Sequence, residues 1–559
     1  MAAWRKCYCR LGAAAIQVAG AGEPGRPGSR VWHGVQLSCI GSLRATRVSQ
    51  AYAQHLPSMP VPDSTSLSPQ QRTAAAALLA AASPLADELG QIFVTNGHEL
   101  ALVGGVVRDA FLRRSSGDID LATDAPPQRI IEITEGWPDQ VWTIGIEFGT
   151  VGMRKGSTIF EITTYRSEQY ARRSRKPEVT YGESLSEDLS RRDFTINAMA
   201  AQLPGHELVD PFGGLRDLKD KTLRTPGEPE NSLNDDPLRI LRAARFAAQL
   251  GFGVTPELSA AMTELAPKLA ASQKIVSAER ISAELGKLML APAPQGPSRG
   301  IALLVDTRVA EQILPEIPRL RLERDEHYRH KDVYEHSLTV LEQAIALEPR
   351  YGLQPDLVLR LAALLHDVGK PQTRSRLPGG RVAFHHHEVV GAKLAARRLS
   401  ALRFPGDVVA DVSRLIELHL RFHGYGTGEW TDSAVRRYVR DAGPLLTRLH
   451  ALTRADCTTR NQAKAQRLAR SYDSLEDRIA VLAEREELAS IRPDLDGHEI
   501  MRILGIGSGP LVGQAYAHLL ELRLDHGPLG NERAAQELLA WAAAEGLGGP
   551  AAPPPPADG

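Results

Sequence analysis

The chain has few cysteines, almost no net charge and no long apolar run. Its four cysteines in 559 residues form neither a disulfide framework nor a metal-binding spacing, so we expect a reducing, cytoplasmic compartment. The 66 basic and 67 acidic residues exclude a global basic field for nucleic acid but allow local basic patches. No stretch reaches the roughly 18 apolar residues that a membrane helix requires, so we expect no membrane partner. The length predicts several domains, and it leaves the oligomeric state open.

Both ends of the chain differ in composition from the rest. Residues 1–66 are rich in glycine, serine, arginine and proline, and Glu23 is the only acid before Asp63. We predict a disordered extension here. The alternatives are a targeting segment and a start codon assigned too early, with Met59 as the true start. The proline-rich tail at 546–559 is also predicted to be disordered.

The stretch ALVGGVVRDAFLRRSSGDIDL combines a glycine turn with two carboxylates. Asp118 and Asp120 alternate on a predicted strand and therefore face the same side, where like charges repel unless a cation lies between them. Mg²⁺ prefers carboxylate oxygens, and two such ions can serve phosphoryl transfer by stabilising the attacking and leaving oxygens. Gly104 and Gly105 allow close approach of the backbone to a ligand, and Arg108 on the following helix suits phosphate. These features predict a magnesium and nucleotide site.

This stretch closely resembles the active-site signature of the DNA-polymerase-β-like nucleotidyltransferases. Within them it is similar to the class II tRNA nucleotidyltransferase and bacterial poly(A) polymerase family. Further segments match that family in order, namely EDLSRRDFTINAMA, DPFGGLRDL, DDPLRILRAARF and SAERISAEL. The resemblance implies that Asp118 and Asp120 bind the catalytic Mg²⁺. Glu161, on a hairpin predicted at 148–166, is a candidate third ligand.

The resemblance also implies the architecture, which is an α/β nucleotidyltransferase head followed by an elongated all-α neck, an HD-type body and a tail. Alternating strand-like and helix-like segments before residue 225 and amphipathic helices after 230 agree with it. We predict no strand between 256 and 545. The predicted boundaries are 67–225 for the head, 226–300 for the neck with its nucleotide-selecting motif, 301–475 for the HD-like domain, and 476–545 for a tRNA-binding helical tail.

The segment DDPLRILRAARF is predicted to select the nucleotide. Asp236 and Arg239 lie on one helix face, and Arg242 and Arg245 continue the basic series. The resemblance implies that the aspartate and the first arginine act as a protein template. A carboxylate accepts a hydrogen bond from the exocyclic amine of cytosine or adenine, whereas uracil and guanine present a carbonyl oxygen there. The pair should therefore accept CTP and ATP. An Asp-Asp-Pro sequence is also typical of a helix start, which is the structural alternative.

The segment RRDFTINAMA is predicted to hold the triphosphate and ribose, as the resemblance implies. Its candidates are Arg191, Arg192 and Asn197, and the alternative is an ion-paired helix start. Asp210 in DPFGGLRDL is interpreted as a capping or pairing residue without a catalytic role. The resemblance further implies that a flexible loop within 167–186 helps the site change from CTP to ATP, and an ordinary loop is the alternative.

A second motif, LRLAALLHDVGKP, predicts a metal site in the helical body. Its histidine–aspartate pair, with partners upstream and downstream, resembles the HD phosphohydrolase domain, and imidazole with carboxylate suits a divalent transition metal. The resemblance assigns as ligands His336, His366, Asp367 and Asp456, with His386 and His387 as accessory candidates. The alternative is a domain that serves as a spacer or RNA platform.

Together these features predict a template-independent RNA nucleotidyltransferase that adds CCA to tRNA 3′ ends from CTP and ATP by two-metal phosphoryl transfer. The close alternatives are a poly(A) polymerase and an enzyme that adds only CC or only A. A further alternative is an HD metal-dependent phosphohydrolase with a vestigial head. A non-catalytic RNA-binding protein is disfavoured by the complete set of metal and template residues.

Overall fold

The computed structural model describes residues 68–547 apart from short gaps at 84, 115–116, 168–179, 182–183, 273, 293, 295, 322–331, 379–381, 425–430, 460 and 487–490. The extension predicted at 1–66, the chain from 548 onward and most of the loop predicted within 167–186 lie outside the described residues. Everything described below belongs to one compact unit within residues 54–559.

The head alternates short strands with short helices, as the sequence predicts. Its strands are β1 (Leu100–Val103), β2 (Asp118–Thr123), β3 (Gln140–Trp142), β4 (Thr150–Lys155), β5 (Thr158–Thr164), β6 (Arg166–Ser167), β7 (Thr180–Tyr181), β8 (Ala200–Leu203), β9 (Glu207–Val209) and β10 (Thr222–Leu223). Its helices are α1 (Pro69–Ala82), α2 (Ala86–Thr95), α3 (Gly105–Phe111), α4 (Pro127–Ile133), α5 (Leu185–Ser190) and α6 (Gly214–Asp220).

Seven of these strands form one mixed sheet in the order β3-β4-β5-β2-β1-β8-β9. Within it β2 and β5 are parallel, and the other neighbouring strands are antiparallel. The predicted hairpin is confirmed, because β4 and β5 pair around a two-residue turn with Lys155 opposite Thr158. Successive residues of β1 pack on opposite faces, Leu102 in one buried cluster and Ala101 in another, so both faces of the sheet are covered.

From residue 229 onward the chain is mainly helical. Residues 229–313 form α7 (Pro229–Asp235), α8 (Leu238–Leu250), β11 (Gly253–Val254), α9 (Pro256–Leu265), α10 (Ala278–Met289), α11 (Gly296–Asp306) and α12 (Ala310–Ile313). Residues 333–485 form α13 (Val333–Leu347), α14 (Leu357–Leu365), α15 (Lys370–Thr373), β12 (Arg374–Arg376), β13 (Val382–Phe384), α16 (His387–Ala401), α17 (Gly406–Leu418), α18 (Arg421–Gly424), α19 (Asp432–Ala442), α20 (Leu446–Ala455) and α21 (Gln462–Arg485). The tail contains α22 (Gly497–Leu504), α23 (Pro510–His526) and α24 (Asn531–Ala544).

The body corrects one prediction, because it contains two strands where none was expected. Strands β12 and β13 pair antiparallel, with Arg374 opposite Phe384. Each strand has only three residues, which is too short for an alternating apolar pattern to be visible in the sequence. The predicted fold class of an α/β head with a helical neck, body and tail is otherwise confirmed.

Local signals in the sequence explain where several helices begin and end. Ser68 caps α1 and forms a capping box with Gln71, and Pro69 occupies the first turn. Gly251 ends α8 in the left-handed conformation, with φ of 74°. Among the described residues, no single helix is long and apolar enough to cross a membrane. One pair, α1 with α2, meets those two criteria only when the two helices are taken together across a 102° bend.

A buried ion pair connects the neck to the body. The guanidinium of Arg360 on α14 donates to both carboxylate oxygens of Glu348, each at 2.7 Å. Its remaining nitrogen donates to the carbonyl oxygens of Met289 and Ala291 at the end of α10, each at 2.8 Å. Arg360 is only 2% exposed, so the contacts that its guanidinium makes inside the protein replace those with water. The contact fixes α14 against α10.

Candidate active site and metal centre

Three carboxylates lie on neighbouring strands of the head. Asp118 and Asp120 flank the buried Ile119 at the start of β2, and both are exposed. Glu161 on β5 is opposite Asp120 in the parallel register and is exposed as well. Desolvation together with the charge of Asp118 raises the pKa of Asp120, although Arg192 and Arg108 oppose the shift. Desolvation and both aspartates raise the pKa of Glu161. A divalent cation would relieve this repulsion, so the residues fit a metal.

A cavity of about 440 Å³ has Asp120, one of these three carboxylates, in its wall. Its wall is formed by Gly104, Gly105, Arg108, Asp120, Arg192, Asp193, Asn197, Asp236, Leu238, Arg239, Arg242, Arg245, Phe246 and Arg280. Six arginines and three aspartates in this wall give a positive balance of charge that suits a polyanion. The volume is that of a small-molecule site. The wall therefore fits a nucleoside triphosphate.

The glycine turn brings the backbone close to the cavity arginines. Gly104 has φ of 71°, and a Cβ there would lie 2.9 Å from Nη1 of Arg192. Helix α3 begins at the next residue, and its Arg108 donates from Nη1 to Oδ1 of Asn197 at 2.6 Å. Asn197 in turn donates from Nδ2 to Oδ1 of Asp193 at 2.9 Å. This network links the turn to the arginine motif and fixes the side chains before a ligand binds.

The two arginines of the RRD motif share one buried carboxylate. Asp188 accepts from Nη2 of Arg191 and from Nη2 of Arg192, each at 3.0 Å. Desolvation would raise the pKa of Asp188, but the two arginines outweigh it and lower the pKa below its usual value. Of these two arginines, Arg192 lines the cavity and Arg191 does not, which differs from the prediction for the Arg191 side chain. The carbonyl oxygen of Arg191 instead accepts from Nη2 of Arg239 at 2.5 Å, so the residue positions Arg239 through its backbone.

Asp236 accepts a backbone hydrogen bond at the start of α8 and also forms part of the cavity wall. It lies between α7 and α8, where Oδ1 accepts from the N–H of Leu238 at 3.1 Å. Its Oδ2 accepts from Nη2 of Arg280 on α10 at 3.1 Å. Arg239, the second residue of α8, donates from Nη1 to Oγ of Ser232 at 2.7 Å. The helix-start interpretation and the template interpretation are therefore compatible, because the two oxygens of Asp236 face different partners.

The two later arginines of α8 are held by acids and by an aromatic ring. Arg242 donates from Nε to Oδ2 of Asp193 at 2.8 Å, and Arg245 donates from Nε to Oε2 of Glu284 at 2.6 Å. Phe246 lies between them in the cavity wall, and the guanidinium of Arg245 is 4.0 Å from the centroid of its ring. Arg245 is mostly buried but still lines the cavity, so its positive charge adds to that of the wall.

The body brings the predicted HD residues together. Nε2 of His336 is 3.0 Å from Oδ1 of Asp456 and 3.3 Å from Nε2 of His366. Nε2 of His366 is 3.3 Å from Oδ2 of Asp367 and 3.6 Å from Oδ1 of Asp456. These four side chains come from three separate parts of the body, so only the fold brings them into contact. Imidazole nitrogens and carboxylate oxygens at these separations fit a divalent transition metal.

The accessory histidines behave differently from one another. Nε2 of His387 lies 3.4 Å from Oδ1 of Asp367, so this residue joins the cluster. The side chain of His386 is 84% exposed, and its φ of 58° turns the chain into α16, which corrects its assignment as an accessory ligand. His419, at the end of α17, is a further member that sequence reasoning missed. A histidine that ends an amphipathic helix carries no signal that distinguishes it from a structural one.

Comparison with known proteins shows three matching families in the order head, neck and body. The family described as "Poly A polymerase head domain" matches residues 100–224, and that described as "Probable RNA and SrmB- binding site of polymerase A" matches 251–320. The HD domain family matches 333–485. An A-adding tRNA nucleotidyltransferase of Deinococcus radiodurans is 33% identical over 425 residues, which cover 76% of this chain and 91% of that protein.

The chain belongs to the class II tRNA nucleotidyltransferase and poly(A) polymerase family. A CCA-adding enzyme of Anoxybacillus flavithermus is 30% identical over 80% of this chain and 93% of that protein. Among solved structures, the Bacillus stearothermophilus CCA-adding enzyme in complex with CTP matches 83% of this chain and 99% of its own, with a TM-score of 0.58 and 24% identity. The Thermotoga maritima CCA-adding enzyme complexed with tRNA matches 84% and 98%, with a TM-score of 0.53 and 18% identity. These structures share the fold of this nucleotidyltransferase.

Besides His419 in the body, sequence reasoning about this nucleotidyltransferase missed four residues of the cavity in the head. They are Asp193, Leu238, Phe246 and Arg280. Three of them lie inside motifs whose other members were singled out, so proximity to those members was an available signal. Arg280 lies 44 residues beyond Asp236, in SAERISAEL, and only the packing of α10 against α8 brings the two together.

Proposed function

We propose that this nucleotidyltransferase adds cytidine, cytidine and adenosine to tRNA 3′ ends from CTP and ATP. The proposal rests on one cavity. Its wall contains Asp120 of the carboxylate pair and Asp236, together with six arginines that include Arg239. Such a wall combines metal-binding, phosphate-binding and base-reading groups. The relatives include both A-adding and CCA-adding enzymes. Addition of only A or only CC, and poly(A) synthesis, are therefore the alternatives.

The metal requirement of the head is assigned to Mg²⁺. Asp118 and Asp120 would hold it, with Glu161 on the neighbouring strand as a third ligand, because their crowded charges favour a hard divalent cation. When bound, two such ions neutralise the charge that develops on the phosphate oxygens and on the leaving group. The protein contributes the rigid strand register that keeps the three carboxylates in line.

The triphosphate is bound by the glycine turn and by Arg108 and Arg192. Asn197 lines the same cavity and holds Arg108 in place. The 3′ oxygen of the tRNA forms a bond to the α-phosphorus while the bond from that phosphorus to the bridging oxygen breaks. Pyrophosphate leaves, and the proton of the attacking hydroxyl passes to solvent water. Fixed guanidinium groups accelerate such a step by positioning the triphosphate and stabilising its charge.

Asp236 and Arg239 read the base through hydrogen bonds from the cavity wall. Oδ2 of Asp236 contacts the half-exposed Arg280, and this contact can give way to a base amine. Arg239 is held by Ser232 and by the backbone of Arg191, so its guanidinium is oriented before the nucleotide arrives. A preorganised acceptor and donor side by side favour cytosine and adenine over uracil and guanine. Arg242 and Arg245 add positive charge to the cavity wall.

The direct experiment follows nucleotide addition to three RNAs. The full-length protein is incubated with tRNA lacking CCA, tRNA ending in C and tRNA ending in CC, each with labelled CTP, ATP, UTP or GTP. Growth of the first substrate by three nucleotides, C, C and A, supports the proposal. Growth only of the third substrate by one A identifies an A-adding enzyme. Growth of the first that stops after CC identifies a CC-adding enzyme, and long A tails identify a poly(A) polymerase.

A second activity, metal-dependent phosphoester hydrolysis, is proposed for the body. This proposal rests on the close contacts among four side chains that would hold a divalent transition metal, namely His336, His366, Asp367 and Asp456. In such a reaction the oxygen of water bonds to phosphorus, the ester P–O bond breaks, and the leaving oxygen takes up a proton. Metal analysis of the purified protein and of His366→Ala tests it. Equal transition-metal content in both proteins would contradict the assignment.

We also assign the remaining regions and the compartment. The boundaries proposed for the neck, body and tail are 226–300, 301–475 and 476–545, and the tail is assigned to tRNA binding by shape, as duplex RNA requires. The compartment is assigned as cytoplasmic. Truncation after residue 485, where α21 ends, should weaken tRNA binding in a gel-shift assay and leave CTP binding unchanged. Unchanged tRNA affinity would contradict the role of the tail.

A further inference from the structure

The row of paired residues that contains Asp120 and Glu161 continues to the edge of the sheet in the head. Asp120 on β2 is opposite Glu161 on β5, and Glu161 is opposite Gly152 on β4. Gly152 is opposite Trp142 on β3, the edge strand. Side chains of residues that pair across strands lie on the same face of a sheet. Trp142 therefore lies on the face that holds the carboxylates, at the end of their row.

Gly152 allows the indole of Trp142 to lie flat on the sheet. A Cβ at Gly152 would be 2.8 Å from Cδ1 of the indole and closer still to its Nε1 and Cε2. Only glycine leaves room for a ring at this distance. The indole therefore covers the backbone of β4, one strand spacing or about 5 Å from the strand of Glu161. Trp142 is half-buried, so one side of its ring rests on β4 and the rest is open.

The two faces of β4 and β5 differ in burial. The face away from the carboxylates is closed, because its side chains are buried in the main core, namely Val151, Met153, Phe160 and Ile162. On the carboxylate face, Ile159 and Thr163 of β5 are only half-buried, and Glu161 between them is exposed. The surface between Glu161 and Trp142 is therefore accessible to a ligand.

A positive charge lies on the same face, next to the indole. Arg154 follows Gly152 by two residues on β4, so both lie on one face of the strand. Its guanidinium donates to Oε1 of Gln140 at 3.3 Å and to the carbonyl oxygen of Gly156 at 2.8 Å. Both acceptors are neutral, so these contacts orient the guanidinium without cancelling its charge. Such a group suits the phosphate of a nucleic acid.

The nucleotide cavity and Trp142 lie on opposite sides of Asp120. The cavity wall comes from the turn before α3, the RRD motif, α8 and α10, and among the described residues none of it comes from β3, β4 or β5. The sheet order places β1 and β8 on one side of β2, and β5, β4 and β3 on the other. In phosphoryl transfer the attacking and leaving oxygens are roughly in line. With the triphosphate in the cavity, the attacking RNA end is left with the side of β5 and β4.

We propose that Trp142 and Arg154 form the binding site for the 3′-terminal nucleotide of the acceptor RNA, here called the acceptor site. The inference rests on the nucleotide transfer proposed above and deepens it. The indole stacks on the terminal base, and the guanidinium of Arg154 pairs with the backbone phosphate. Stacking on an aromatic ring accepts every base, because each base has a π-face. This tolerance suits an enzyme whose acceptor ends in a new nucleotide after each addition.

Fluorescence tests the stack without nucleotide addition. The full-length protein is titrated, in the absence of CTP and ATP, into tRNA lacking CCA whose 3′-terminal base is 2-aminopurine, a fluorescent base that an indole quenches. We expect quenching by the parent protein, little by Trp142→Leu, and part of it by Trp142→Phe. Val141→Ala is the matched control, because this adjacent side chain lies on the other face of the sheet and should leave the quenching unchanged.

Kinetics separate stacking from a structural role of Trp142. In Trp142→Leu, kcat/KM for the RNA should fall roughly 5- to 150-fold, the loss typical of one base–aromatic stack, with KM for CTP unchanged. With an acceptor whose terminal nucleotide is abasic, the parent should be as slow as the variant, because no base is left to stack. Arg154→Gln should weaken RNA binding and reduce the slope of its salt dependence by about 0.7. Arg129→Gln, on the helix that covers the other face, should change neither.

The outcomes distinguish the acceptor site from the proposed function. Quenching and RNA kinetics in Trp142→Leu equal to those of the parent would overturn the acceptor site. A loss equally large with the intact and the abasic acceptor would also overturn it, since that loss marks a structural role. No nucleotide addition by the parent, together with quenching that Trp142→Leu removes, would refute the transfer and support the acceptor site. Where Trp142→Leu fails to fold, the intact and abasic acceptors are compared in Trp142→Phe.

Discussion

Replacing Asp236 with asparagine should change which pyrimidine nucleotide the enzyme accepts. In the structure Oδ1 of Asp236 accepts from the N–H of Leu238, and Oδ2 is the oxygen available to a base. Asparagine can keep an oxygen toward Leu238 and place its amide nitrogen at the position of Oδ2. The group that faces the base then becomes a donor, which matches the O4 carbonyl of uracil and not the N4 amine of cytosine.

The size of the effect follows from the groups that lose or gain a partner. A buried polar group left without a partner costs about 1–3 kcal/mol. The ratio of kcat/KM for CTP to that for UTP should therefore fall roughly 5- to 150-fold in Asp236→Asn, since 1.4 kcal/mol corresponds to a factor of ten. Asp236→Ala should also lower the ratio, but it gives no new donor to uracil. It additionally loses the contact at the start of α8, for which about 0.5–2 kcal/mol of stability is typical.

The assay measures single incorporation of CTP or UTP into tRNA lacking CCA. Arg280→Met is the matched control, because it removes the partner of Oδ2 while leaving the carboxylate that faces the base. This control should alter both rates in similar proportion. A CTP-to-UTP ratio in Asp236→Asn equal to that of the parent would refute the reasoning that the carboxylate reads the base.

Two further substitutions test the glycine turn and the junction between neck and body. Gly104→Ala should raise KM for CTP and ATP together with little change in their ratio, because φ of 71° strains a Cβ by about 1–2 kcal/mol and the methyl group meets Arg192. Steady-state kinetics measure both KM values, and values equal to those of the parent would contradict this prediction. Arg360→Met should lower the free energy of unfolding by about 3–5 kcal/mol, since it leaves Glu348 buried and unpaired. Urea unfolding measures this free energy. The double variant Arg360→Met/Glu348→Leu should recover much of the lost stability. An Arg360→Met variant as stable as the parent would disprove the prediction.

Local patterns in the sequence were sufficient for the features that depend on neighbours along the chain. The glycine turn, the alternating aspartates and the hairpin after them each follow from residues within a few positions of one another. The register that sets Glu161 opposite Asp120 follows from parallel pairing of β2 with β5, which the sequence did not reveal. Strands β12 and β13 are too short for periodicity to identify them.

Features that depend on packing between distant segments could not be predicted in this way. Arg191 and Arg192 are adjacent, yet only Arg192 reaches the cavity, because both share Asp188 and approach it from different positions on the helix end. His386 and His387 are also adjacent, and the positive φ of His386 directs one to solvent and the other to the cluster. His419 joins the cluster only because α17 packs against α16 and α14.

The central claim is that the carboxylates at 118 and 120 hold the cation that activates nucleotide transfer, and one measurement tests it most directly. The Asp118→Asn/Asp120→Asn enzyme is mixed with saturating CTP, Mg²⁺ and tRNA lacking CCA, and the first incorporation is followed in a single turnover. We expect a loss on the order of 10³-fold or more, because metal ions contribute several kcal/mol in such reactions, with tRNA affinity unchanged. Incorporation at the rate of the parent enzyme would contradict it.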